Sequence, residues 1–388
     1  MTLAPAAPDR SGRGPGDTTG FIPQAAPRLR IGRFGAAVAA AVRQVLESDH
    51  YGVGPAVARF ERDFASYLGV DHCIGVGSGT DALAIAFRAL SLPRGGEILT
   101  VAMTASATGS AILLGGHVPR FVDVDPRSRL IDIDRIAASA GPKTVAIVPV
   151  HLHGYPVDMP RLMTVADALG LPVIEDCAQA HGARIGGRAV GTFGQAAAFS
   201  FYPTKNLGCA GDGGAVTTND GDVARRARAL REHGWGEVRG RSEIAGLNSR
   251  LSEIQAAILC VLLPQLDDGN AERRRIAERY RRGLSAATVA GRIGLPPEDD
   301  GSVYHQFAIE VDDRDRVREA LFAAGVGTAV HYADPLDRQP AFAGFATGPL
   351  AGGDALAARL LSLPIQPEVA GPAVDEIIER VVRAVSQG

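Results

Sequence analysis

The chain has 388 residues, 21% of them charged and 46% hydrophobic, with a formal net charge of −3 at pH 7. That near balance excludes the basic surface of a nucleic-acid or membrane-surface binder, and no apolar run approaches the ~20 residues of a bilayer-spanning helix. At about 150 residues per domain, the length implies two or three domains with a sizeable core.

Residues 1–20 are rich in Pro, Gly, Ser, Thr and Ala without periodicity and read as a disordered tail. No basic stretch followed by an apolar core stands there, so no secretory signal is expected and the chain reads as cytoplasmic. Helical spacing of Val38, Val42, Val45 and Leu46, repeated by Phe60, Phe64 and Tyr67 within 57–68, predicts two helices flanking the turn residues Gly52, Gly54 and Pro55. From residue 72, seven short apolar, β-branched runs alternate with amphipathic stretches: 73–76, 97–102, 121–124, 144–150, 172–175, 197–201 and 214–217. Helices are expected at 81–90, 159–170 and 222–233. This alternation predicts an α/β fold, a mainly parallel seven-stranded sheet with helices on both faces. A long helical stretch after Ser252 then leads to a smaller C-terminal α/β domain with a strand at 307–311 and helices at 315–324 and 374–385. The expected division is a large domain over 21–265, which includes the N-terminal helices, and a small one over 266–388. Cys73, Cys177, Cys209 and Cys260 lack metal-ligand spacing, so they read as buried small hydrophobes and no metal site is expected.

In an open parallel sheet the ligand lies beyond the carboxyl ends of the strands, which makes the residues after each run the candidates. Lys205 follows the run 197–201 and precedes a Gly-rich loop, a poor place for a solvated charge and a good one for a Schiff-base amine. Pyridoxal phosphate is an aldehyde cofactor that needs such a lysine together with a carboxylate facing its ring nitrogen. Asp176, after the run 172–175, is placed to be that carboxylate, or else caps a following helix. Gln179, one turn on, is placed to donate to the ring oxygen. The segment 75–83, Gly-Val-Gly-Ser-Gly-Thr-Asp-Ala-Leu, joins a strand end to a helix start, where free amides and the helix dipole make either an anion site or a plain glycine turn. It lacks the third glycine of a dinucleotide fingerprint, which disfavours a nicotinamide oxidoreductase. Ser200 and Asn248 offer further donors, each also explicable as a cap or turn residue.

Taken in order, these motifs resemble the DegT/DnrJ/EryC1/StrS sugar aminotransferases, within fold type I of the pyridoxal phosphate enzymes. The resemblance covers residues 21–388 and rests on Gly-Ser-Gly-Thr-Asp-Ala-Leu (77–83), Phe-Val-Asp-Val-Asp (121–125), Val-Pro-Val-His-Leu-His-Gly (148–154), Glu-Asp-Cys-Ala-Gln-Ala-His-Gly (175–182), Ser-Phe-Tyr-Pro-Thr-Lys-Asn (200–206), Gly-Asp-Gly-Gly-Ala-Val (211–216) and Asn-Ser-Arg-Leu-Ser-Glu-Ile-Gln-Ala-Ala (248–257). It implies pyridoxal 5'-phosphate bound in the large domain, with Lys205 as Schiff-base partner and proton shuttle. Asp176 would face the ring nitrogen and Gln179 the ring oxygen. Gly79, Thr80 and Ser200 would hold the phosphate, and Asn248 would reach it from the partner subunit of a homodimer with shared active sites.

The resemblance further implies transamination of a nucleotide-linked, dTDP-type keto-6-deoxyhexose, with glutamate as amino donor, in amino-deoxysugar and antibiotic biosynthesis. C3 amination is favoured over C4. Arg250 and His331 are candidates for substrate contact, against a salt bridge and a structural histidine. Three positions depart from the pattern: Ala105 stands where a ring-stacking aromatic is common, Asp337 where a histidine is, and Gln366 where a small residue or histidine is. The rivals are a dehydratase on the same scaffold, whose relatives carry histidine in place of Lys205, and a non-catalytic regulator.

Overall fold

The computed structural model of the protein describes residues 20–346 and 348–386, so the expected tail, Gly20 excepted, lies outside the described residues. Twelve strands occur among the described residues. In chain order they are β1 (His72–Val76), β2 (Glu97–Val101), β3 (Val118–Val122), β4 (Thr144–Val148), β5 (Ile174–Asp176), β6 (Arg184–Ile185), β7 (Arg188–Ala189), β8 (Ala196–Ser200), β9 (Gly214–Thr218), β10 (Ile293–Gly294), β11 (Phe307–Val311) and β12 (Leu360–Leu363).

β3, β2 and β4 run parallel side by side, while β5, β8, β9 and β1 form a second segment. Isolated parallel bridges from Ile147 to Val173 and from Val150 to Asp176 join the two, giving the order β3-β2-β4-β5-β8-β9-β1. Within this layer β9 is antiparallel to both its neighbours. The strands read as apolar runs because each residue's neighbours pack against a different helical layer. Ile74, Val76, Val148, Ala198 and Val216 meet the helices Gly79–Ala89 and Gly221–Arg231. Cys73, Ala197, Phe199 and Ala215 meet the helices Pro55–Leu68 and Glu253–Leu262.

The helix Pro55–Leu68 shows how sequence sets an element. Pro55 opens it, Gly69 closes it in the left-handed conformation, and Val57, Phe60, Phe64 and Leu68 bury one face. The Glu253 carboxylate accepts the N–H groups of Gly54, Ala56 and Val57 at 2.8–2.9 Å, satisfying its open N-terminus. Phe60 and Phe64 stand edge-on to Phe201, 5.1 and 5.5 Å between ring centroids, and each buried ring contributes about 1.5–3 kcal/mol.

The C-terminal part is a three-stranded antiparallel sheet, β10-β11-β12, packed with the helices Leu266–Val289, Arg314–Ala323 and Pro372–Ser386. Its core residues Tyr280, Phe307, Ile377 and Val381 are continuous with Leu99, Val101, Ile147 and Val173 under the large sheet. The N-terminal segment crosses between the two parts. Ile22 exchanges backbone hydrogen bonds with Gly325 and Gly327, and Gln24 donates to Gln306 at 2.7 Å. Gln366, one of the departures, is buried and donates to the Pro23 carbonyl at 2.9 Å. It therefore holds this segment.

Candidate active site

The carboxyl ends of β1, β2, β4, β5 and β8 open on the same edge of the sheet, and the residues that follow them face one another there. Asp176 ends β5 and is buried. Its carboxylate accepts from Thr108 Oγ1 at 2.8 Å and from the Ala178 N–H at 3.1 Å, so it does not cap a helix. Thr108 sits on the helix Ser106–Leu114, which the apolar spacing did not predict, and Thr104 Oγ1 lies 3.1 Å from it. Burial raises the Asp176 pKa above the usual carboxylate value, against the pull of these donors and of Lys205.

Lys205 lies in the loop after β8 and is half-buried; among the described residues its amine makes no hydrogen bond or ion pair. Desolvation lowers its pKa from 10.5 to about 8, with Asp176 opposing the shift. Around it stand three histidines, His181, His305 and His331, with a fourth, His153, against His331. His181 is buried between the Phe199 and Phe201 rings with neither ring nitrogen partnered. His305 Nδ1 lies 3.1 Å from Asn206 Oδ1, and His331 Nδ1 lies 2.9 Å from Ser362 Oγ. His153 Nε2 lies 3.0 Å from the His331 carbonyl. Burial pushes His153 and His181 down to about 3, His331 to about 4 and His305 well below the usual range, so all four are neutral at physiological pH.

Gln179 is clamped. Its Oε1 accepts the His153 N–H at 2.6 Å and its Nε2 donates to Tyr332 Oη at 3.0 Å. Tyr332, not singled out beforehand although it adjoins His331, has its hydroxyl pushed up to about 12 by burial. Thr108 carried no comparable signal in the sequence.

At the end of β1, Ser78 caps the helix Gly79–Ala89 by accepting from the Asp81 N–H. Gly79 permits a close approach: a Cβ there would lie 2.7 Å from the Ser200 Cβ. Ser200 thus stands against the N-terminus of the helix that carries Thr80 in its first turn, and its hydroxyl has one long contact at 3.4 Å from the Tyr202 N–H. Free hydroxyls, first-turn amides and helix dipole fit a phosphate. With Asp176 deep in the site and an uncommitted Lys205 amine, the donor set fits pyridoxal phosphate.

Asn248 is exposed and lies outside this cluster, although its neighbour Ser249 accepts the Gly77 N–H and donates to Asp81. Arg250 is ion-paired with Glu232 at 2.8 Å, the salt-bridge reading of that residue. Asp337 is buried beside Arg338 rather than facing Lys205's surroundings, and burial raises its pKa. A buried trio, His151, Glu175 and Cys177, has the proximity of a metal site. The Glu175 carboxylate is already filled by the N–H groups of Gly191, Phe193 and Gly194 and by His151, whose other nitrogen accepts from Val157. His151 and Glu175 thus form a hydrogen-bonded support next to Asp176, with the buried Cys177 thiol packed beside them.

Residues 33–382 match the DegT/DnrJ/EryC1/StrS aminotransferase family. The chain belongs to this family. It is an aminotransferase that works with pyridoxal phosphate. It is 41% identical over 346 residues to a dTDP-3-amino-3,4,6-trideoxy-alpha-D-glucose transaminase from Streptomyces venezuelae, covering 88% of this chain and 90% of that one. The crystal structure of S. venezuelae DesV in complex with a ketimine intermediate superimposes with a TM-score of 0.90 at 40% identity, covering 95% of this chain and 99% of that one. NtdA of Bacillus subtilis with bound cofactor PMP has the same TM-score at 30% identity, covering 96% and 87%. These neighbours share the fold type I architecture.

Proposed function

We propose that the protein transfers an amino group from glutamate to a nucleotide-linked keto sugar, a dTDP-keto-6-deoxyhexose, aminated at C3. The observation that carries the reading is the pairing of a desolvated, uncommitted Lys205 amine with the buried Asp176 carboxylate, in a chain 41% identical to a dTDP-3-amino sugar transaminase. The cofactor supplies the carbonyl that takes up the amino group and the ring that accepts electrons. Asp176 holds the proton on the ring nitrogen, oriented by Thr108 and the Ala178 N–H. Lys205 Nζ anchors the cofactor and afterwards carries a proton to and from the substrate carbon. Its pKa near 8 leaves about a quarter of the amine free at pH 7.5, against roughly a thousandth for an ordinary lysine.

Gly79, Thr80 and Ser200 hold the phosphate, and Asn248 completes that pocket from the partner subunit of a homodimer. Gln179 orients the ring oxygen, with Tyr332 fixing its amide. His331, close enough to Lys205 to be affected by its charge, faces the sugar. Arg250, held by Glu232, takes part only if that ion pair opens. C4 amination is the second reading, since nothing in the geometry around Lys205 discriminates the two carbons. Incubation with glutamate and a panel of 3-keto and 4-keto dTDP sugars, with products assigned by NMR, tests both. Amino product from 4-keto sugars alone would overturn the C3 assignment, and no product from any sugar would overturn the substrate class.

A further inference from the structure

The loop that carries Lys205 has no regular secondary structure, yet the placement of the amine depends on it. What holds it comes from far away in sequence. Arg30, on the N-terminal helix Pro27–Arg33, sends its guanidinium against the back of the loop. Nη1 donates to the Lys205 carbonyl at 2.5 Å and to the Asn206 carbonyl at 3.3 Å. Nη2 donates to Pro203 at 2.6 Å and to Gly208 at 3.0 Å. Four carbonyls of one six-residue stretch thus converge on one planar fork, a pattern that a point-charge ammonium does not reproduce. Gly208 makes room, because a Cβ there would lie 2.8 Å from Arg30 Nη2.

The helix bearing Arg30 is itself anchored, through Ile22, Pro23 and Gln24, to residues 325–327, 366 and 306 of the C-terminal part. On its other side the loop is tied by Asn206, which donates to Asn270 at 2.8 Å and to the Val303 carbonyl at 3.0 Å. A cavity of about 530 Å³, lined by Arg30, Asn206, Arg273, His305 and Glu368, opens behind the guanidinium.

We propose that Arg30 is a positioning residue for the Lys205 amine: by binding the carbonyls of residues 203–208 it locks the loop so that Nζ stays under cover facing Asp176. This rests on the reading of Lys205 as the lysine that attaches the cofactor. Without the clamp the loop relaxes outward, the amine regains water, and its titration moves back towards that of an ordinary lysine. The other titratable or charged groups around that amine are Asp176, His181, His305 and His331; those around Arg30 are Glu368, Cys209, Arg273 and, shared with the amine, His181.

The test is the rate at which apoprotein combines with pyridoxal phosphate, followed by absorbance from pH 6.5 to 10. Wild type is expected to show a midpoint near 8. Arg30→Met is expected to move it upward by about one unit, which is roughly tenfold slower attachment at pH 7.5. In Arg30→Ala, guanidinium chloride at non-denaturing concentration enters through the cavity and restores the wild-type midpoint. An Arg30→Met protein with the wild-type profile would overturn the proposal, as would a shifted profile that guanidinium leaves unchanged. Should Arg30→Met not fold, Arg30→Lys keeps the charge and loses the fork. Attachment about threefold slower at pH 7.5 supports the clamp, and a profile identical to wild type sinks it. Borohydride reduction followed by peptide mass mapping separates the two readings: cofactor trapped on a lysine other than Lys205 would undo the underlying assignment, whatever Arg30 does.

Discussion

The Lys205 amine owes its lowered pKa to a deficit of solvation, not to a neighbouring cation. Desolvation is the leading cause of its lowered pKa, and Asp176 only partly offsets it. Since the folded-state value of about 8 lies below the unfolded value near 10.5, the unfolded chain binds more protons between them. Apoprotein stability should therefore rise as pH increases through that window. Urea unfolding of apoprotein at pH 7.5 and pH 9.5 should show this gain in wild type and lose it in Lys205→Ala, which should also be devoid of transamination while remaining folded. Thr108 acts on the other member of the pair. Its hydroxyl is one of two donors to the Asp176 carboxylate, and loss of a hydrogen bond to a buried charged group costs on the order of 1–2 kcal/mol. Thr108→Val should weaken cofactor affinity roughly five- to thirtyfold, and because the carboxyl pKa rises further, the acid limb of binding should move to higher pH. An equilibrium titration of apoprotein with pyridoxal phosphate at pH 5.5, 6.5 and 7.5 reads both effects.

The proposed phosphate end of the site is formed by two elements in contact, the helix Gly79–Ala89 and the end of β8. Gly79→Ala would place a methyl 2.7 Å from the Ser200 Cβ, closer than real side chains approach. Helix and strand would have to part by several tenths of an ångström, spreading the donors of Thr80 and Ser200. Cofactor affinity should fall at least about tenfold, and apoprotein stability should drop by about 1–3 kcal/mol, the usual cost of overpacking between two elements; a cofactor titration and a urea unfolding curve read the two. The placement of this glycine, Asp176 and Lys205 at the sheet edge was legible in the sequence, because each follows an apolar run where an α/β sheet places its ligands. The reversal of β9 was not: its Gly-Ala-Val-Thr-Thr sequence is buried on both sides, and such a run carries no mark of direction. The helix Ser106–Leu114 escaped because it has no polar face to give a 3.6-residue period, its Thr108, Gly109, Ala111 and Ile112 all being buried. Tyr332 and Arg30 act on residues 153 and 175 positions away, Gln179 and Lys205, and no local pattern encodes such pairings.

At the scale of the whole molecule, one proposed member of the site is left without a place in its own chain. Asn248 is exposed, while the hydroxyls it would join, Thr80 and Ser200, stand at the sheet edge. If it reaches the phosphate of a second copy, each site takes Lys205 from one chain and Asn248 from the other, as closed twofold assemblies allow. Two inactive variants then complement each other. Lys205→Ala and Asn248→Asp, the latter repelling a phosphate, would each be nearly dead alone. Mixed and reassembled in equal amounts, half the dimers are heterodimers. In each of these one site combines an intact Lys205 with an intact Asn248, while the other carries both substitutions. Activity should therefore recover to about one quarter of wild type, a statistical consequence of twofold symmetry. A site built from a single chain predicts no recovery, because no chain in the mixture carries both residues. Native mass spectrometry of the same mixture resolves the heterodimer by the side-chain mass that Lys205→Ala removes, and so shows that exchange has occurred; absent activity in exchanged dimers would remove Asn248 from the partner's site.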